Sequence, residues 1–156
     1  MRKAFQPIVM LIILILGLHL LLCVVLYPSA KPYQPPEQSR EKLYQDIFIS
    51  LLLPYIQNEV DQFYSQYLTE PPMVAPYTVT VLSTARPNGY RTFCFRLKLQ
   101  VKSYIGPHIS VGLDEITLTA DGSGNVKVEK FEHIKSYKLP PNYEDIIKKG
   151  FGNPIP

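Results

Sequence analysis

YRTFCFRLKLQVKSY, residues 90–104, alternates apolar and polar side chains with a period of two. Phe93, Phe95, Leu97, Leu99 and Val101 fall on one side, and Thr92, Cys94, Arg96, Lys98, Gln100 and Lys102 on the other. That is the pattern of a strand with one face in a core and the other in water. Such a strand needs neighbours and a cover. Residues 77–85 read as a hairpin partner across Arg86-Pro87-Asn88-Gly89, because an Asn-Gly pair accommodates the positive φ angles of a tight turn. Residues 115–120 and 125–134 read as a second hairpin across Asp121-Gly122-Ser123-Gly124.

The cover comes from residues 39–68. Ser39 is a good helix N-cap, and Glu41 follows in the first turn, where the helix dipole favours negative charge. Leu43, Ile47, Phe48, Leu51 and Leu52 precede Pro54, and Ile56, Val60, Phe63 and Tyr67 continue at helical spacing. A proline there removes one backbone bond and clashes with the carbonyl four residues back, so a kink is expected. The reading is an α+β domain: one long kinked helix packed on a four-stranded antiparallel sheet, in cystatin-like or nuclear-transport-factor-like outline. Phe95 and Leu97 are expected to meet Ile56 and Val60, so that Phe95→Ala costs about 3–5 kcal/mol.

Ahead of this domain, residues 8–27 (IVMLIILILGLHLLLCVVLY) carry no charge and at helical rise span a hydrocarbon core of roughly 30 Å. Arg2 and Lys3 precede the segment, which orients the N-terminus inside and exports the domain. The expected organisation is a cytoplasmic N-terminus (1–7), a transmembrane anchor (8–27), a Pro-rich stalk (28–38), an extracytoplasmic domain (39–137) and a Pro-rich tail with a short helix and a mobile end (138–156). The alternative is a signal sequence, with secretion after cleavage. His19 and Cys23 within the segment read as a tolerated imidazole and an inert thiol.

The 16 Lys and Arg against 13 Asp and Glu become 14 against 13 once Arg2 and Lys3 are set aside, so no basic footprint for nucleic acid remains. Cys23 and Cys94 fall in different parts of the organisation, so no disulfide frame is expected. Alternation places Cys94 on the polar face. No Gly-x-Ser-x-Gly elbow and no glycine-rich phosphate loop occurs. His108, Asp114, Glu115, Glu132 and His133 supply ligand and acid–base chemistry, yet no spacing fixes two of them on one element. Glu132 and His133, as strand neighbours, face opposite ways.

Leu51-Leu52-Leu53-Pro54-Tyr55-Ile56, Gly106-Pro107-His108 and Asp114-Glu115-Ile116-Thr117-Leu118 resemble, in order and spacing, a family of small exported proteins of Bacillus-type bacteria. That family is known only as a domain of unknown function, numbered 3888. The likeness covers roughly residues 43–133. The stretch Ile109-Ser110-Val111-Gly112 departs from the Asn-Pro-Pro-Tyr-Gly of the family. The resemblance implies export and fold, and it implies no reaction, substrate or cofactor.

The functional expectation is a non-enzymatic, membrane-anchored module that binds an envelope protein or cell-wall component, with no cofactor and no nucleic acid. Gly106, Pro107, His108 and Tyr104, in a loop running to Gly112, and the basic stripe Arg96 and Lys98 are the expected binding residues. The alternative is a metal-dependent or acid–base hydrolase using His108, His133 and Glu115.

Overall fold

Ser39 opens the helix: its Oγ accepts a hydrogen bond from the Lys42 backbone N–H at 3.0 Å, and α1 runs from Arg40–Tyr64. The computed structural model describes Met10 and residues 32–156. Pro54 lies inside α1 without ending it. The buried positions Gln45, Ile49, Leu52, Ile56, Val60 and Tyr64 recur every three or four residues, which is one face of a helix. Leu43, Ile47 and Leu51, also four apart, face solvent together with Tyr44 and Tyr55.

Four strands follow: β1 (Val79–Ala85), β2 (Cys94–Ile105), β3 (Ile109–Asp121) and β4 (Val126–Ser136). They form one antiparallel sheet in the order β1-β2-β3-β4. The chain is thus an α+β protein with one long helix and a four-stranded antiparallel sheet. Registers align Leu99 with Ile116 and Phe131, and Leu97 with Leu118 and Val128, on the inner face. These rows meet the buried face of α1 in one core, where each fully buried Leu or Ile contributes about 1.5–3 kcal/mol.

Several expectations are corrected. The Asn88-Gly89 turn is present, with Gly89 at φ 90°, but β2 begins only at Cys94. Thr92 donates its backbone N–H and its hydroxyl to the Gly89 carbonyl, at 3.1 and 2.8 Å, and so makes a second turn before the strand. Phe93 therefore lies outside the sheet and is exposed. Phe95 is only half-buried, and the fully buried centre of β2 is Leu99 and Val101. β3 starts at Ile109, so the expected loop from Gly106 to Gly112 is a three-residue turn followed by strand. The tail's last residues are held in place. Ile155 is buried, and the Asn153 side chain both accepts from the Leu139 N–H and donates to its carbonyl, each at 2.8 Å. The short helix is a 3-10 turn over Pro141–Ile146.

Among the described residues no helix is long and apolar enough to cross a membrane. The expected anchor, residues 8–27 with His19 and Cys23, lies outside the described residues except for Met10.

Candidate functional site

The β2–β3 turn brings together most of the sequence-selected binding residues. Gly106 and His108 both adopt positive φ, 47° and 64°, around Pro107. The His108 ring lies 5.0 Å from that of Tyr104, and its Nδ1 is 3.0 Å from the Tyr77 hydroxyl. Tyr143 packs so closely on Gly106 that a Cβ there would clash with its ring, 3.0 Å from Cζ. The result is a small aromatic cluster at the surface. Tyr77 and Tyr143 are the members that sequence missed.

The basic stripe is not a free positive surface. On the solvent face of the sheet Arg96 pairs with Glu129 at 2.9 Å and Lys98 with Glu115 at 2.6 Å. Exposed pairs of this kind contribute about 0–1 kcal/mol and leave little net field. Nor do the three residues of the metal alternative meet: Glu115 faces outward on Lys98, His133 faces inward on Asp114, and His108 sits in the turn with Tyr77. Among the described residues, no three His, Cys, Asp or Glu side chains group so as to hold a metal ion.

His133 belongs instead to a buried network that ties α1 to the sheet. Asp114 sits on the inner face of β3, with 0% of its side chain exposed, and its register partner on β4 is His133. His133 Nδ1 is hydrogen-bonded to Asp114 Oδ1 at 2.6 Å and Nε2 to Ser136 Oγ at 2.8 Å, and the Ser136 hydroxyl is also 3.4 Å from the Pro156 carbonyl. From α1 the Tyr64 hydroxyl donates to Asp114 Oδ2 at 3.0 Å. Burial pushes the Asp114 carboxyl above its ordinary range, and the hydrogen bonds from His133 and Tyr64 only partly offset this. Burial, then the neighbouring Asp114 charge, raises the Tyr64 phenol. Gly112 makes room for the phenol, since a Cβ there would overlap Tyr64 Oη and lie 2.9 Å from Cζ. Ser103 Oγ, also buried, has no hydrogen-bond partner among the described residues.

Ser136, His133 and Asp114 are linked in the order of a proton relay, which a nucleophilic serine requires. The imidazole is also stacked on Phe63, with centroids 4.9 Å apart. Through Asp114 and Tyr64 on the inner side the network also joins helix to sheet.

An apolar concavity lies toward the other end of the sheet. There Phe48, Leu51, Leu52 and Tyr55 of α1 face Phe95 and Leu97 of β2 and Val126 of β4 across a groove of about 540 Å³. The C-terminal half of α1 covers its rows fully, with Ile56, Val60 and Tyr64 completely buried, whereas Phe95 and Val126 stay half open. The volume falls within the roughly 300–1,000 Å³ of small-molecule sites, which are also mainly apolar. Beside the groove the Arg86 guanidinium stands 5.0 Å from the Phe95 ring centroid and 5.1 Å from that of Tyr90, and it donates to the Tyr90 carbonyl.

The model of a family described as "Protein of unknown function (DUF3888)" matches residues 44–135, more than half of the chain. No curated protein and no solved structure matches it.

Proposed function

The chain belongs to this family of proteins of unknown function, and from that premise we propose that it is a membrane-anchored, extracytoplasmic binding module, non-enzymatic, whose ligand site is the groove between α1 and the sheet. Residues 8–27 serve as the anchor, with the N-terminus inside and the domain outside, and the helix-on-sheet outline is cystatin-like or nuclear-transport-factor-like. The observation that carries the reading is the groove itself. An apolar, half-open concavity of about 540 Å³ is left beside the core. It is continuous at Leu51 with the exposed apolar stripe of α1, and Leu51 is 71% exposed.

A photoreactive phenylalanine analogue in place of Leu51 tests this in intact cells, with the same analogue in place of Lys130 on the charged face as control. Discrete adducts from position 51 and none from position 130 are expected. Adducts from position 130 alone, or from the analogue in place of His108 alone, would move the site to the outer face or the β2–β3 turn.

A second reading, an acid–base hydrolase, is favoured by one observation: the Ser136–His133–Asp114 order, at 2.8 and 2.6 Å. It replaces the His108–His133–Glu115 set with residues that do touch. A fluorophosphonate probe decides, since it marks activated serines. We expect Ser136 to remain unlabelled in the folded protein, and stoichiometric labelling lost in His133→Ala would establish the hydrolase.

A further inference from the structure

We propose that the groove takes a single-chain amphiphile with an anionic head group, and that Arg86 holds the head while the chain lies between α1 and the sheet. This rests on the groove being the ligand site.

The groove walls offer a chain no charged partner, since they are built from Phe48, Leu51, Leu52, Tyr55, Phe95 and Val126 with few polar groups between them. Arg86 is one of several cations of the domain without a carboxylate partner, and among the described residues it is the one set against a wall of the groove, Phe95. Arg96, Lys98, Lys130 and Lys42 each have a carboxylate partner. Among the described residues no carboxylate lies within ion-pair distance of Arg86. Its guanidinium is nonetheless held in place, between the rings of Tyr90 and Phe95 and on the Tyr90 carbonyl. A guanidinium carries five N–H donors, so one set against two rings and bonded through Nη1 to a carbonyl still has donors with which to receive a carboxylate or phosphate. Phe95 belongs to both features, as a wall of the groove and as a support of the cation. An apolar slot with one unpaired, oriented cation beside it matches a ligand with an apolar chain and one negative end. A neutral apolar ligand would leave Arg86 without a role. The proposed anchor keeps the domain beside a bilayer, a standing source of acyl carboxylates and of lysophospholipid phosphates, which share this chemistry.

The test uses the full chain in membranes and two photoreactive probes with the same sixteen-carbon chain, one ending in a carboxylate and the other in an alcohol. After irradiation and digestion, the carboxylate should label peptides carrying Leu51, Tyr55 or Phe95. Arg86→Gln should reduce that labelling roughly tenfold, the size of one charge-assisted contact, and leave labelling by the alcohol unchanged. Arg86→Lys, which keeps the charge, should retain most of it, and Arg96→Gln on the outer face should change nothing. A photoreactive lysophospholipid labelling the same peptides more strongly would assign the head as a phosphate, with the same dependence on Arg86. Equal labelling of wild type and Arg86→Gln by the carboxylate would overturn the role of Arg86 while leaving the groove reading intact. No groove labelling by any probe would overturn both.

Discussion

Replacing Gly112 with alanine is expected to cost the domain roughly 3 kcal/mol or more of unfolding free energy, for two reasons that add. The new Cβ would overlap the Tyr64 hydroxyl and stand 2.9 Å from Cζ and 3.2 Å from His133 Cε1. Overpacking of this kind costs about 1–3 kcal/mol where the surroundings are close-packed. Tyr64 and Ile116 nearby are fully buried, so little room exists to relax. If the phenol moves away, Asp114 keeps only His133, and a buried carboxylate short of a donor costs about 1–3 kcal/mol more. Urea melts of the fragment Pro32–Pro156, which forms a compact unit of its own, measure the loss. Tyr64→Phe in the Gly112→Ala background should recover part of it, because it removes the clashing oxygen, and the double-mutant cycle should show strong coupling. A loss below about 1 kcal/mol would mean that helix and sheet are not locked together at this point.

The second large effect is at Leu99. It is fully buried between Val81 and Ile116 in the register of the sheet, and Leu99→Ala should cost about 2–5 kcal/mol. Phe95→Ala should cost clearly less, about 1–2 kcal/mol, because a half-buried ring beside a groove already touches solvent. Melts of the two variants compare core with site. The reverse ranking would mean that the groove is closed in solution and that Phe95 belongs to the core.

That ranking also marks how far the sequence could be read. Alternation along residues 90–104 identified the inward Leu97, Leu99 and Val101 correctly, since a half-buried strand imposes its period on side-chain polarity. Ser39, Gly89 and the Asp121 turn were legible for the same local reason: each satisfies a backbone demand within four residues of itself. The start of β3 was not. His108 carries a positive φ that its residue type does not advertise, and Gly106-Pro107 reads as the opening of a long loop. With Ile109–Gly112 placed in that loop and the strand begun at Glu115, Asp114 was assigned to no face of the sheet. Extending the strand would have put Gly112 and Asp114 in phase with Ile116 and Leu118, an acid on a buried face that must have partners. His133 was noted, but its partners Tyr64 and Ser136 depend on how the helix docks, which no local pattern encodes. The groove depends on the same docking, and the stacking of Arg86 on Phe95 depends on the turn between β1 and β2.

The order β1-β2-β3-β4 leaves two unclosed edges, and an open strand edge is a template on which a second copy could pair. β4 carries Lys127, Lys130 and Lys135 along its length, and its pairing with β3 is interrupted by two register shifts, between Leu113 and Asp114 and between Thr117 and Leu118. Charged side chains along an edge must be desolvated when a second strand pairs there, and bulges twist the strand away from a flat template. β1 is the shortest strand, has its own irregularity between Val81 and Ser83, and is followed by Arg86-Pro87, where proline offers no N–H to a neighbour. Both margins of the sheet thus carry features that resist self-association through strands.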